Sequence, residues 1–378
     1  MERLLHYVWK YKLYVTTSLE TTDGRPVQVI DPGIQNTDAG PDFFNAKIKI
    51  DGTLWAGSVE IHDKSSNWRL HHHEANKAYD SVILHITGVD DFQPVRTNGE
   101  PIPQMILSVP ENIIRSIDWL LYRDVPLPCL AHIAGIDPLH IACWMEALLS
   151  ERLERKTHDI FLLLDTYQAD WNEVFYITLT RNFGFGVNND AFERLAKSLP
   201  LRCIQKQRSS HSQIEAMIFG QAGMLVEEND DHYYRLLQRE YDFLRHKFAL
   251  SPMEDFVFKN LRTRPVNFPY LKVAQLAALW VQHDTLFSAI LEARSTGDIK
   301  KYFRIPPSDY WETHYHFRYA SPQKEKTIGE NALNILLINT VVPMLFAYGL
   351  HNKRPEYCER ATRLLESIPP EKNTIVTT

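Results

Sequence analysis

The 378-residue chain reads as an α+β protein: a small sheet-forming domain over residues 1–110, then a larger all-helical domain over residues 111–378. Three observations point there. Short runs rich in β-favouring residues crowd into the first 110 positions, parted by turn formers such as Asp31-Pro32-Gly33. Asp51-Gly52, set between two alternating runs, is a strong hairpin signal. Beyond residue 110 the apolar residues recur at helical spacing, with prolines where helices start or stop.

The elements follow in order. Residues 1–13 (MERLLHYVWKYKL) form an amphipathic helix without the apolar core or cleavage site of a signal peptide. Strands are expected over 27–30, 44–50, 54–62 and 82–87, with a short helix within 65–80 and an edge strand over 105–109. The order is αβββαβ. In the second region Ile141, Met145, Leu148, Leu149 and Leu153 mark the inner face of one helix, and Tyr233, Leu237, Tyr241, Leu244 and Phe248 that of another. Further helices are expected over 171–182, 189–197, 210–226, 271–293, 328–350 and 355–367.

Composition narrows the function classes. Lys and Arg number 41 against 47 Asp and Glu, a net charge of -6 that supplies no global field for nucleic acid or anionic lipid. Nucleic acid is therefore expected only through a local groove. Apolar residues at 44% and charged residues at 23% are globular values, which exclude wholesale disorder. Cysteines 129, 143, 203 and 358 show no CxxC spacing, so reduced thiols and a cytoplasmic location are expected. The longest apolar stretch, 335–350, carries Asn339, Thr340 and Pro343; it reads as a buried helix kinked at Pro343, not a membrane span.

The segment from Asn36 to His85 carries the chemistry. Alternation along the third strand puts Ser58, Glu60 and His62 on one face, with Val59 and Ile61 on the other. Asp42 opens the preceding strand and approaches Glu60 across the hairpin, so two carboxylates converge where a hard divalent cation would bind. His71, His72 and His73 follow within a dozen residues, and His85 lies on the fourth strand. His71 and His73 are candidates to join Glu60 and His62 or to orient substrate. Without such partners a His-His-His run is a solvated turn, Asp42 a turn cap and Glu60 an exposed strand residue.

This pattern resembles the core of the PD-(D/E)XK nuclease superfamily, whose fold is αβββαβ. The resemblance implies an Asp at the start of the second strand and an acid-x-Lys on the third, together building a Mg²⁺ or Mn²⁺ site for phosphodiester hydrolysis. Pro41-Asp42 matches the first element and Glu60 the second, while His62 stands where the superfamily has lysine; Lys64, Lys47 and Lys49 are nearby substitutes. The expected function is a metal-dependent nuclease or phosphodiesterase with Asp42, Glu60 and His62 as catalytic and metal-binding residues. The alternative is a non-catalytic interaction protein that keeps a degenerate nuclease-like fold. A third reading is a hydrolase of small phosphorylated or acyl substrates using a zinc-like His/Glu site.

A second resemblance runs along almost the whole chain. GPDFFNAKIKIDG, GSVEIH, the W-x-x-H-x-H of Trp68, His71 and His73, AYDSVILHI, RPVNFP, YWETHYHF and INTVVPMLFAYG are similar to an uncharacterised bacterial family of unknown function. Within RPVNFP, Arg264 is a candidate substrate-binding residue: with Arg262, Asn267 and Lys272 it precedes a helix start, a setting that favours phosphate. A rigid two-proline turn is the plainer reading. The aromatic cluster of Tyr310, Trp311, His314, Tyr315, His316 and Phe317 suits either base stacking or packing.

Overall fold

A computed structural model describes residues 2–15, 19–36, 40–116, 135–253, 258–259 and 264–369. Cys129, Arg262 and the middle of the Asn36–Phe43 motif lie outside them. Two compact units divide the chain, one within residues 1–131 and one within residues 132–378.

The first unit is a mixed sheet with a helix on one face. Helix α1 (Glu2–Lys10) is followed by β1 (Val27–Asp31), β2 (Ile34–Gln35), β3 (Phe43–Ile50), β4 (Thr53–Lys64), the single-turn α2 (Asn67–Leu70), β5 (Val82–Val89), β6 (Gln104–Ile106) and α3 (Glu111–Arg115). The strands lie in the order β1-β3-β4-β5-β6, with β2 beside the start of β3. β3 pairs antiparallel with β1 and β4, whereas β4–β5 and β5–β6 are parallel. The hairpin forms at Asp51 and Gly52, both with positive φ (47° and 78°), the mirror-image turn that Asp-Gly favours. The stretch expected to hold a short helix contains one helical turn and two 3₁₀ turns, because His72 takes a left-handed conformation (φ 59°) that stops the helix. Leu4, Leu5, Val8 and Trp9 of α1 bury against Val59, Ile61, Leu84 and Ile86. A second, smaller cluster of Trp68, Tyr79, Val82 and Ile102 lies under the crossover between β4 and β5.

The second unit is built of helices α4 (Pro138–Thr166), α5 (Trp171–Asn182), α6 (Asn189–Ser198), α7 (Leu201–Gln205), α8 (His211–Gln221), α9 (His232–Phe248), α10 (Pro269–Gln282), α11 (Leu286–Glu292), α12 (Thr296–Phe303), α13 (Glu330–His351) and α14 (Pro355–Glu366). Prolines at the first turn of α4, α10 and α14, and side-chain caps from Asp137, Asp170, Ser210, Asp231 and Ser295, set their starts. Three expectations need correction. The region is not all-helical: β7 (His314–His316) and β8 (Tyr319–Ala320) form a short ribbon. The helix expected over 271–293 is two, separated where His283 is extended and bonds the Tyr302 carbonyl at 3.0 Å. On α4 the apolar face is inward only from Leu153; Met145 and Leu148 are exposed.

α13 has the length and apolarity of a membrane span, but two-thirds of its most apolar window is buried, with Leu336, Val341 and Leu345 in the core of the unit. A π-helical turn, Leu337–Val341, precedes Pro343. Proline lacks the N–H that would bond the Asn339 carbonyl, and Asn182 Nδ2 donates to that carbonyl instead at 3.0 Å. Packing also accounts for the YWETHYHF aromatics. Trp311 is fully buried, stacks on Phe219 and donates to the Glu215 carboxylate at 2.8 Å, and Tyr310 stacks on Tyr233 and His314.

Candidate metal centre

A bulge in β3 and the close approach of β4 to β5 build the site. Simple counting back from the hairpin would set Asp42 opposite Ile61. A bulge between Phe43 and Ala46, with Asn45 at φ 56°, shifts the register so that Phe43 faces Val59 and Asp42 comes opposite Glu60. The Asp42 N–H then donates to Glu60 Oε2 at 3.0 Å, and Asp42 Oδ2 accepts from the Ile61 N–H at 2.9 Å. On the other side β4 runs parallel to β5, with Glu60 level with His85 and His62 level with Thr87. Gly57 makes that approach feasible, since a Cβ there would stand 2.5 Å from Ile83 Cγ2 and 2.7 Å from the Ser81 carbonyl.

Parallel strands need a crossover, and this one carries two more histidines. Ser65, Ser66 and Asp91 tie down its start: Asp91 accepts from the Ser66 N–H at 2.8 Å and from both hydroxyls. Trp68 anchors it through an indole N–H to the Val95 carbonyl at 3.0 Å. The left-handed residue His72 then turns the chain so that His71 and His73 both come within reach of His62, with ring centroids 5.1 and 5.4 Å from it. His73 is clasped between the His62 ring and that of Tyr79, which stacks on it at 3.7 Å.

Around His62 Nε2 the donors converge. His71 Nδ1 is 3.2 Å away and Glu60 Oε1 3.5 Å; His73 Nε2 is 3.3 Å from the same Glu60 oxygen. One nitrogen from each of His62, His71 and His73 falls within 4.8 Å of the others. Glu60 is 5%, His62 2% and His85 0% exposed, so the inner donors are shielded from water, while His71 sits on the exposed rim.

A relay of hydrogen bonds sets the tautomer of His62. Gln104 Nε2 donates to Asp90 Oδ1 at 2.6 Å and to the Phe92 carbonyl at 3.3 Å, which turns Gln104 Oε1 toward His85 Nδ1 at 2.8 Å. An amide oxygen only accepts, so His85 carries its proton on Nδ1 and offers a lone pair at Nε2. His62 Nδ1, 2.9 Å from that lone pair, is therefore the protonated nitrogen, and His62 Nε2 presents its lone pair to the cluster. This is the outer-shell arrangement that orients a ligating imidazole.

The electrostatics agree with ligand duty. Burial, helped by the neighbouring His85, His73 and His71, pushes His62 down to about 2. Burial pushes His85 down to about 4 and lowers His73, so these imidazoles are neutral at physiological pH. Burial, reinforced by the Asp42 carboxylate, pushes Glu60 up to about 9, so a proton occupies it where a cation would otherwise balance the charge. Burial acts to lower His6, but its 3.1 Å contact with Asp42 Oδ2 and the charges of Asp42, Glu2 and Glu60 outweigh it and raise the imidazole.

The sequence-nominated residues divide accordingly. Asp42, Glu60, His62, His71 and His73 come together. Asp42 differs in its engagement, because its Oδ2 is already held by the Ile61 N–H and by His6. Lys47, Lys49 and Lys64 are exposed, and none bonds or pairs with Asp42, Glu60 or His62 among the described residues. Arg264 belongs to the helical unit, exposed ahead of the turn Pro265–Asn267; Lys272, grouped with it as a phosphate seat, instead turns into the core over the Phe185 ring. Sequence reasoning missed His6, Gln104 and Tyr79. A polar Gln opening the otherwise apolar run Gln104–Leu107 was the available signal for one of them.

Three imidazoles and one carboxylate are a donor set for Mn²⁺, Fe²⁺ or Zn²⁺ more than for Mg²⁺, which prefers oxygen ligands. A family model described as a protein of unknown function (DUF2851) matches residues 2–374. No curated protein and no solved structure matches the chain.

Proposed function

Since the chain belongs to the DUF2851 family of proteins of unknown function, its activity has to be read from the site, and we propose that the N-terminal unit is a divalent-metal-dependent phosphodiester hydrolase acting on nucleic acid. The observation that carries this reading is the lone pair of His62 Nε2, fixed by the Gln104–His85 relay and aimed at the point where Glu60, His71 and His73 meet. A second support is the order of elements. An acid at the start of β3 and Glu60-x-His62 on β4, between an opening helix and a parallel β5, is the disposition of a PD-(D/E)XK-like core.

Glu60, His62 and His73 are the inner ligands and His71 the rim ligand. Mn²⁺ suits them better than Mg²⁺. The bound cation supplies Lewis acidity toward a phosphoryl oxygen and lowers the pKa of water. Asp42, 3.1 Å from His6 Nε2, favours the protonated form of that imidazole, which would supply positive charge to a site that lacks the superfamily's lysine.

Titrating Mn²⁺ into metal-free protein, with melting temperature and calorimetry as readouts, tests the reading together with cleavage of single- and double-stranded DNA and RNA. Wild type is expected to bind one ion in the His62 cluster, melt higher and cleave; Glu60→Gln loses all three, and Gln104→Leu weakens the ion roughly ten- to a hundredfold. An unchanged Mn²⁺ response in Glu60→Gln overturns the assignment of the site. Binding without cleavage across the panel favours a non-catalytic interaction protein instead.

A further inference from the structure

The helical unit holds a cleft of about 490 Å³ between α4, α13 and α14, walled by Leu149, Leu153, Ile338, Val342, Pro343 and Leu365. Its size lies within the range of small-molecule sites. The π-helical turn of α13 forms one wall, and such turns recur at functional sites.

Two cations line this apolar space, and neither makes an ion pair among the described residues. Arg152 bonds only a neutral amide, the Asn339 Oδ1 at 3.1 Å. Lys156, half-buried one turn further on, makes no ion pair or hydrogen bond among the described residues, although Glu146 and Glu366 also line the cleft. Burial, with the guanidinium groups of Arg181, Arg152 and Arg155 outweighing the Asp159 carboxylate, lowers the Lys156 ammonium below its ordinary value. Unpaired cations beside an apolar wall are complementary to a molecule with one anionic end.

We propose that this cleft binds an amphipathic anion, a carboxylate with an alkyl or aryl body, its head on Lys156 and Arg152 and its body along Leu149, Leu153, Val342 and Leu365. The cleft is concave, which suits a small ligand better than a flat protein partner. The exposed Trp144, Met145 and Leu148 on the same helix make a second copy of the chain the competing occupant.

Calorimetric titration with dodecanoate, dodecanol and acetate, each below any micellar concentration, decides the matter. Dodecanoate is expected to bind one to one, with dodecanol and acetate each at least roughly tenfold weaker, since both head and body contribute. Lys156→Gln should weaken dodecanoate about tenfold and leave dodecanol unchanged, Lys156→Arg should keep it, and Leu149→Asn should weaken both amphiphiles. Thermal melts confirm that each variant is folded. Absence of dodecanoate binding, equal binding of dodecanol, or unaltered affinity in Lys156→Gln overturns the proposal. So does a concentration-dependent dimer that Trp144→Ser dissolves and dodecanoate leaves intact, which would make this face a self-association surface.

Discussion

His62 is the residue on which the proposed N-terminal chemistry turns. The proposed nuclease-like reading would put lysine at its position, yet its ring is held from behind by His85 and faced by Glu60, His71 and His73. An ammonium at this place has no lone pair to offer a cation and would bury a charge among neutral imidazoles. His62→Lys is therefore expected to lower Mn²⁺ affinity by more than about tenfold and to abolish cleavage, measured by calorimetry and by turnover on the best nucleic-acid substrate. Enhanced cleavage in His62→Lys would mean that the imidazole is a degenerate stand-in for lysine. At this scale the sequence was informative about side chains on strands, where alternation ties Glu60 to His62. It was silent on His6, whose relation to Asp42 depends on how a helix thirty-six positions away lies against the sheet.

Among the elements, the close approach of β4 to β5 has a single point of failure. Gly57 lies against Ile83 and the Ser81 carbonyl at distances no side chain tolerates, and the backbone at Ser81 cannot give as a flexible side-chain tip would. Gly57→Ala should cost about 1–3 kcal/mol, the usual range for overpacking, and should weaken Mn²⁺ binding as well, because the displaced strand carries Glu60 and His62. A melting temperature and an ion affinity equal to wild type would show that the strands have room there. The hairpin at Asp51-Gly52 was legible because two positive φ angles are a local demand met by two local residues. The bulge at Phe44-Asn45 was not, since nothing local distinguishes a strand that skips a residue from one that does not. The break at His283 escaped notice for a related reason: its extended backbone is held by the Tyr302 carbonyl, a partner far along the chain.

For the whole molecule, the buried titratable cluster fixes how metal-free stability responds to pH. Unfolded Glu60 ionises near 4.5 but holds its proton up to about 9 when folded, so this group removes stability as pH rises between those values. His62 and His85 have the opposite sign: unfolded, they take up protons below 6.5, whereas folded they resist until about 2 and about 4, so stability is lost as pH falls. Two histidines outweigh one carboxyl on the acid side, and on the alkaline side the carboxyl and the raised His6 imidazole both remove stability as pH rises. In the absence of metal, melting temperature is expected to peak at pH ~6.5 and decline both ways, with Glu60→Gln losing most of the alkaline decline. A wild-type profile flat from pH 6.5 to 9 would contradict this. Composition and periodicity announced an α+β chain with its helices toward the C-terminus, because those signals average over many residues. The ribbon of β7 and β8 and the solvent-facing start of α4 were hidden, since each depends on what a few side chains meet in space.

The parallel pairing of β4 with β5 also has a consequence in time. A hairpin brings its two strands together at once, but these strands close only after the intervening chain has looped back across the sheet. Glu60 and His62 are in place as soon as β3 and β4 meet. If the crossover closes after the hairpin, His71 and His73 join the site later than Glu60 and His62. Contacts made after the rate-limiting step leave the folding rate alone and act on the reverse reaction. An ion gripped by both pairs of side chains would thus work as a latch, doing little for how quickly the sheet assembles and much for how long it stays shut.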